Sequence, residues 1–114
     1  MTDKTPAEIA DTAAEAIRSL NYATPGDLVY PGDAYSTVGN LSVMAMRLPQ
    51  ALQQIAQFLK RLEEAGQLKS DTDTLGDDLE ATYAGLTVAA GAAETLRTAL
   101  DRAQQGLGTI AYKE

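Results

Sequence analysis

The chain has no cysteine, no histidine and no tryptophan. Without cysteine it forms no disulfide, and without cysteine and histidine it has no thiolate or imidazole to bind zinc. Nucleophilic catalysis that depends on a histidine base is excluded for the same reason. Carboxylates and tyrosines remain as acid–base groups, but no pair of them stands on an apolar, pocket-like background. The sequence therefore predicts a protein that is not an enzyme and that binds no cofactor or metal.

Aromatic residues are scarce, at 5%, although hydrophobic residues reach 45%, much of it alanine. Alanine-rich, aromatic-poor sequence favours closely packed helices, because sheets are rich in β-branched and aromatic residues. No apolar run approaches the roughly 18 residues that cross a bilayer. The segment 1–6 shows no basic-then-apolar leader. We therefore expect an all-α protein in the cytoplasm, without membrane association.

The charge is acidic overall. A chain of 114 residues is one domain in length, and it has a net charge of -7 and a pI of about 4.4. The acidic excess lies in residues 1–40 and 71–114, whereas residues 41–70 are slightly basic. Because the overall sign repels phosphate, nucleic acid is an unlikely partner.

The first helix is predicted over about residues 6–20. Thr5 can cap it, Pro6 suits its first position, and Glu8 completes a capping box. One narrow apolar stripe recurs along it at helical spacing. Its members are Ile9, Ala13, Ile17 and Leu20.

A connector is predicted over residues 21–35, because the triplet Pro-Gly-Asp occurs twice, at 25–27 and at 31–33. Proline and glycine fit successive positions of a type II turn. Two turns in succession would then deliver the chain into the second helix. Tyr30 and Tyr35 flank the second triplet, so this connector is also a candidate surface for binding.

The second helix is predicted over about residues 34–65, with a kink or a break at Pro49. Gly66 can end it in the left-handed conformation. Apolar residues recur every seven positions, which is typical of helices that pack along their length. The principal series is Val38, Leu41, Leu48, Ile55 and Leu62, and its companions are Ala45, Leu52 and Leu59.

The third helix is predicted over about residues 75–105, after a polar turn at 67–74, with Asp73 or Thr74 as its cap. Gly106 and Gly108 should end it, and the tail 106–114 can pack back through Ile110 and Tyr112. A second heptad series runs through this helix. It comprises Leu79, Leu86, Ala93, Leu100 and Leu107, supported by Tyr83, Ala89, Leu96 and Ala103.

Two long heptad-patterned helices joined by a short turn predict an antiparallel helical hairpin, with a shorter N-terminal helix beside it. The N-terminal helix is too short to cover the whole hairpin. Some apolar surface should therefore stay exposed unless Pro49 folds the hairpin up.

Residues 41–48 mark where that exposed surface lies, since apolar side chains surround most of the helix there. Two methionines add adaptable contact area. We expect a surface for self-association, or for another protein, centred on this segment. Its predicted residues are Leu41, Val43, Met44, Met46 and Leu48, with Tyr30 and Tyr35 beside them.

The runs 35–41 and 48–59 resemble small alanine-rich helical proteins of actinobacteria and of their phages and mobile elements. The resemblance is one of style over residues 30–110 and carries no motif or assigned function. It implies a phage-type adaptor or inhibitor of a host protein. The sequence thus predicts a homo-oligomeric, non-enzymatic interaction module whose partners are itself and a host protein.

Two alternatives rest on charge. The segment 55–69 resembles the recognition helix and following strand of winged-helix regulators, which would bind DNA through Lys60, Arg61 and Lys69. No β-hairpin pattern follows it, so an amphipathic helix with a glycine cap is favoured. The other alternative is an acidic mimic of nucleic acid, using the carboxylates around the start of the third helix.

Overall fold

The computed structural model describes residues 3–113, and within that range the chain forms three α-helices and no strand. Helix α1 spans Pro6–Asp27, α2 spans Pro31–Glu64 and α3 spans Leu75–Leu107. Helices α2 and α3 pack along each other as an antiparallel hairpin. The predicted all-α fold with a helical hairpin is confirmed.

Helix α1 begins where the capping pattern predicts. The Thr5 hydroxyl accepts from the Glu8 amide at 3.2 Å, and the Glu8 carboxylate accepts from the Thr5 amide at 3.0 Å. Pro6 opens the helix because its missing N–H would have no helical partner in any case. The Thr5 amide, followed by the Thr5 side chain, stabilises the charged carboxylate and holds the pKa of Glu8 below its ordinary value.

The predicted connector 21–35 and the end of the first helix at residue 20 were wrong. Helix α1 continues through Pro25 to Asp27, and α2 already begins at Pro31, so only residues 28–30 lie between them. The second Pro-Gly-Asp triplet forms the first turn of α2 instead of an isolated turn. A proline φ near −65° suits a helix start as well as a turn, and the triplet alone does not distinguish the two.

The three residues between α1 and α2 are fixed by Asp33. Its carboxylate accepts from the amides of Val29 and Tyr30, both at 2.9 Å. With this connector held, α1 approaches the hairpin at its C-terminal end, where Leu20, Ala23 and Thr24 line a cleft with Ser36 and Thr37 of α2. Its Cα atoms stay more than 8 Å from those of α2 and α3, and Ile9 and Ile17 remain exposed.

Helix α2 is unbroken at Pro49, which lies half-buried within it. The helix ends as Gly66 predicts. Gly66 has φ +68°, its amide bonds to the Glu63 carbonyl at 3.0 Å, and the next amide, of Gln67, reaches back to Leu62 at 3.0 Å. This pair of bonds is the Schellman motif, which turns the chain toward α3.

Small residues form the seam between α2 and α3. Ala45 is fully covered, and Ala93, Leu79 and Ser42 are the other buried residues of the described chain. Alanines at a contact let two helix backbones approach closely, so the seam is narrow. Among residues 3–113, no large side chain is fully buried.

The seam confirms one predicted heptad series and corrects the other. Every member of the principal α3 series is buried or half-buried. On α2, however, the companion series of Ala45, Leu52 and Leu59 is more covered than Leu48 and Ile55, which are 39% and 48% exposed. Both α2 series repeat every seven residues, so spacing alone does not say which one meets α3.

Polar contacts fix the register near the open end of the hairpin. The Ser42 hydroxyl donates to the Asp101 carboxylate across the seam. Nearer the open end, the Gln104 side-chain amide donates to the Tyr35 carbonyl at 3.4 Å. The same side chain lies against Gly39, where an added Cβ would overlap the Gln104 amide. Glycine at position 39 therefore makes room for the Gln104 side chain.

The molecule is long and thin. Its extents are 67 × 33 × 26 Å and its radius of gyration is 19.1 Å, against about 13 Å for a compact chain of this length. Its accessible surface is 8849 Å², whereas a compact monomer of this mass exposes about 6,000 Å². A single copy therefore leaves far more surface exposed than a globular domain does.

Enlarging the fully covered Ala45 tests the narrow seam. We expect Ala45→Leu to lower the free energy of unfolding by about 1–3 kcal/mol, because the added atoms force the helices apart. Urea unfolding followed by circular dichroism at one protein concentration measures this. Ala84→Leu, at an exposed position of α3, is the control and should change little. Equal effects of both substitutions would contradict the seam.

Candidate interaction surface

The seven residues that the sequence predicted as one surface lie in different places in the structure. Met44 and Leu41 are half-buried and lie on the same side of α2 as Leu48. Val43 and Met46 point in other directions around the helix, at 37% and 46% exposure. Segment 41–48 is thus exposed on several sides, but only part of it belongs to one continuous face.

That part continues far along α2 as an apolar line that we call the α2 stripe. Its members are spaced alternately three and four residues apart, so they share one face of the helix. They are Leu41, Met44, Leu48, Ala51, Ile55, Phe58 and Leu62. Ile55 and Phe58 are about half exposed. Phe58 and Ala51 were not among the residues predicted from the sequence, although the alternating spacing indicates both.

A matching line on α3, the α3 stripe, has the same spacing but small side chains. It comprises Thr82, Gly85, Ala89, Ala92, Leu96, Ala99 and Ala103. All seven are exposed. The sequence predicted that Ala89, Leu96 and Ala103 support the contact between the two long helices, and this was wrong. They lie beside the buried series, because a step of seven residues preserves whichever side of a helix it starts on.

The two stripes lie on the same side of the hairpin. The groove along the opposite side is lined by the polar side chains of Gln53, Thr87 and Glu94, together with Leu52, Ala56, Leu86, Ala90 and Gly91. Helical periodicity places the α2 stripe and the α3 stripe away from these polar residues. Together the two stripes form one broad surface, which we call the apolar face.

Charge is nearly absent from the middle of the hairpin. Between Asp33 and Lys60, Arg47 is the one charged residue of α2, and residues 81–93 of α3 carry no charge. Helices that face water on their outer sides usually carry charged residues there. A long, exposed and nearly uncharged apolar surface is typical of a protein–protein contact.

Charged groups return at the closed end of the hairpin, around Tyr83. Its hydroxyl donates to Glu63 at 3.0 Å, and the Lys60 ammonium lies 5.3 Å from the ring centre. Partial burial, followed by the bond to Glu63, raises the pKa of Tyr83 above its ordinary value. These contacts join α2 to α3 at the closed end of the apolar face, level with Leu62 and Thr82.

Tyr30 and Tyr35, the two predicted tyrosines, serve the open end of the hairpin. The Tyr30 ring meets Tyr112 edge-on at 5.5 Å, and the Tyr112 hydroxyl donates to the Val29 carbonyl. The Tyr35 ring lies against Gly108, 3.5 Å from where a Cβ would stand. The tail therefore packs back through Tyr112. Both tyrosines stand apart from the apolar face and join the start of α2 to the C-terminal tail.

The acidic segment before α3 is an internal hydrogen-bonded turn. Ser70 and Thr74 both donate to the Asp78 carboxylate, at 2.5 and 3.1 Å, and Asp73 adopts a positive φ of 57°. Across residues 3–113, no group of three or more acidic side chains is placed to hold a metal ion.

Comparison with known proteins returns no match: no family model, curated protein or solved structure is similar to this chain. Within the described range, no helix combines the length and apolar character that crossing a bilayer requires.

The connector between α1 and α2 should respond to acid. The amides of Tyr30 and Val29 hold the pKa of Asp33 below its ordinary 3.8. Its contribution to stability is therefore complete above that value and is lost as the pH falls through the lowered pKa. In an NMR titration, we expect the Asp33 carboxyl carbon to have a midpoint below 3.8 and both amide resonances to shift with it.

Asp33→Asn is the control for this titration. The amides of Val29 and Tyr30 should then show no transition in that pH range. A midpoint for Asp33 at or above 3.8 would contradict the two hydrogen bonds.

Proposed function

We propose that this chain is a non-enzymatic protein–protein interaction module that works as a homo-oligomer through the apolar face. The observation that carries the proposal is the α2 stripe, a line of seven apolar residues that the chain itself leaves partly exposed. Leaving large aliphatic and aromatic side chains in water forgoes about 1.5–3 kcal/mol for each. A covering partner recovers that free energy.

The excess of exposed surface supports an extensive contact. The accessible surface of 8849 Å² exceeds the value for a compact chain of this mass by about 2,800 Å². Permanent interfaces bury about 2,000–5,000 Å² in total, counted over both partners. The two stripes and the exposed α1 both contribute to this excess, so the chain has enough exposed surface for a permanent contact.

The wider setting of this module is also a proposal. The resemblance to small proteins of actinobacterial phages and mobile elements suggests a cytoplasmic adaptor or inhibitor that acts on a host protein. Helix α1 is the segment that self-association through the apolar face leaves unused. It is amphipathic, and its apolar residues Ile9 and Ile17 remain exposed.

Two methionines of α2 test the face directly. Met44 lies on the α2 stripe, whereas Met46, two residues later, points toward the opposite side of the hairpin. We expect wild-type protein to have a mass that is a multiple of 12.1 kDa. Met44→Glu should reduce it to the single-chain mass, because a charge would then be buried without a partner.

Light scattering on a sizing column gives the mass, and circular dichroism shows that helicity is kept. Met46→Glu adds the same charge to the same helix and should leave the assembly intact. An unchanged mass for Met44→Glu, or dissociation by both variants alike, would contradict the proposed face.

A further inference from the structure

The two stripes differ in side-chain size, and from this we infer which partner the apolar face binds. We propose that it is a second copy of this chain, with the α2 stripe of each copy packed on the α3 stripe of the other. The inference rests on the proposed self-association and adds its geometry. It predicts a two-fold dimer with four helices around one core.

Size complementarity is the first argument. The α2 stripe is built mainly of Leu, Met, Ile and Phe, whereas the α3 stripe is built mainly of Ala and Gly. Bulky side chains on one surface and small ones on the other interlock when the two surfaces meet. A face that carries both lines side by side is complementary to a second copy of itself, as a two-fold interface requires.

Symmetry allows two arrangements, and the side chains select one. A two-fold axis parallel to the helices places α2 of one copy on α3 of the other. A two-fold axis across the helices places α2 on α2 and α3 on α3. In the second arrangement the bulky stripes hold the α2 helices apart, while the alanine stripes need a closer approach. A gap along the α3 helices would follow, so the first arrangement packs better.

The axis parallel to the helices also fixes the register. Rotation about it leaves each residue at its own height, so residues level within one hairpin are level across the dimer. Ser42 bonds to Asp101, and Glu63 bonds to Tyr83, so residue numbers at one height sum to about 145. Ile55 of one copy therefore lies opposite Ala89 of the other.

Lack of charge makes this pairing feasible. The α2 stripe and the α3 stripe contain no charged residue, so no charge within the stripes is buried when the copies associate. Arg47 is exposed and borders the α2 stripe, three residues after Met44. Both stripes are outside the hairpin seam, and a substitution on them leaves the buried alanines of the seam, Ala45 and Ala93, unchanged.

A charge exchange between the two stripes tests the arrangement. We expect Ile55→Glu alone and Ala89→Lys alone to halve the mass of the dimer, because each buries one unpaired charge. When the two variants are mixed, the glutamate of one copy meets the lysine of the other, and the second contact in the dimer is wild type. Native mass spectrometry should then show a heterodimer containing one chain of each.

Thr87→Lys is the matched control, because Thr87 is exposed, lies two residues from Ala89 and lines the groove on the opposite side of the hairpin. It should leave the dimer intact. Circular dichroism of each variant shows whether the hairpin is kept. The reversed pair, Ile55→Lys with Ala89→Glu, repeats the test should one of the first variants fail to fold.

The outcomes separate this inference from the proposed function. A dimer that survives Ala89→Lys but not Ile55→Glu would overturn the pairing of α2 with α3, while self-association would stand. Two dissociated variants that stay monomeric on mixing would overturn it as well. A wild-type chain that is monomeric at every concentration would overturn the proposed function itself.

Discussion

The narrow contact between α2 and α3 is the constraint on which the rest of the structure depends. Ala45 and Ala93 let the two backbones approach closely, but small residues cover only a strip of each helix. No larger apolar side chain of the described chain is fully buried, and the two apolar stripes lie beside that strip. The small residues of the seam therefore explain both the close approach of the two helices and the exposure of the apolar face.

Much of this fold could be predicted from the sequence, because several signals are local. The capping box at Thr5 and the glycine at residue 66 each act within one turn of helix, and both were read correctly. The prediction of turns at the Pro-Gly-Asp triplets was wrong: the first triplet ends α1, and the second starts α2, since proline and an acidic residue two positions later also describe a helix start. Asp33 decides the matter by bonding to two amides of the connector.

The candidate surface was only partly accessible to the same reasoning. Residues 41–48 were identified because apolar side chains surround the helix there. The extension of the face to Phe58, and its exposed partner residues on α3, depend on which heptad line meets the other helix. Tertiary packing determines which heptad line meets the other helix, and the helical period alone does not predict it. Val43 and Met46 were predicted as part of the surface because both are apolar and lie within residues 41–48. Tertiary packing places them off the apolar face.

The central claim is that one copy of this chain is an incomplete structure, and the mass of the wild-type protein in solution tests it most directly. Sedimentation equilibrium over a hundredfold range of concentration measures that mass without altering any residue. The account predicts a constant value of twice 12.1 kDa. A constant 12.1 kDa across the whole range would contradict it, because the apolar face would then persist in water without a second copy.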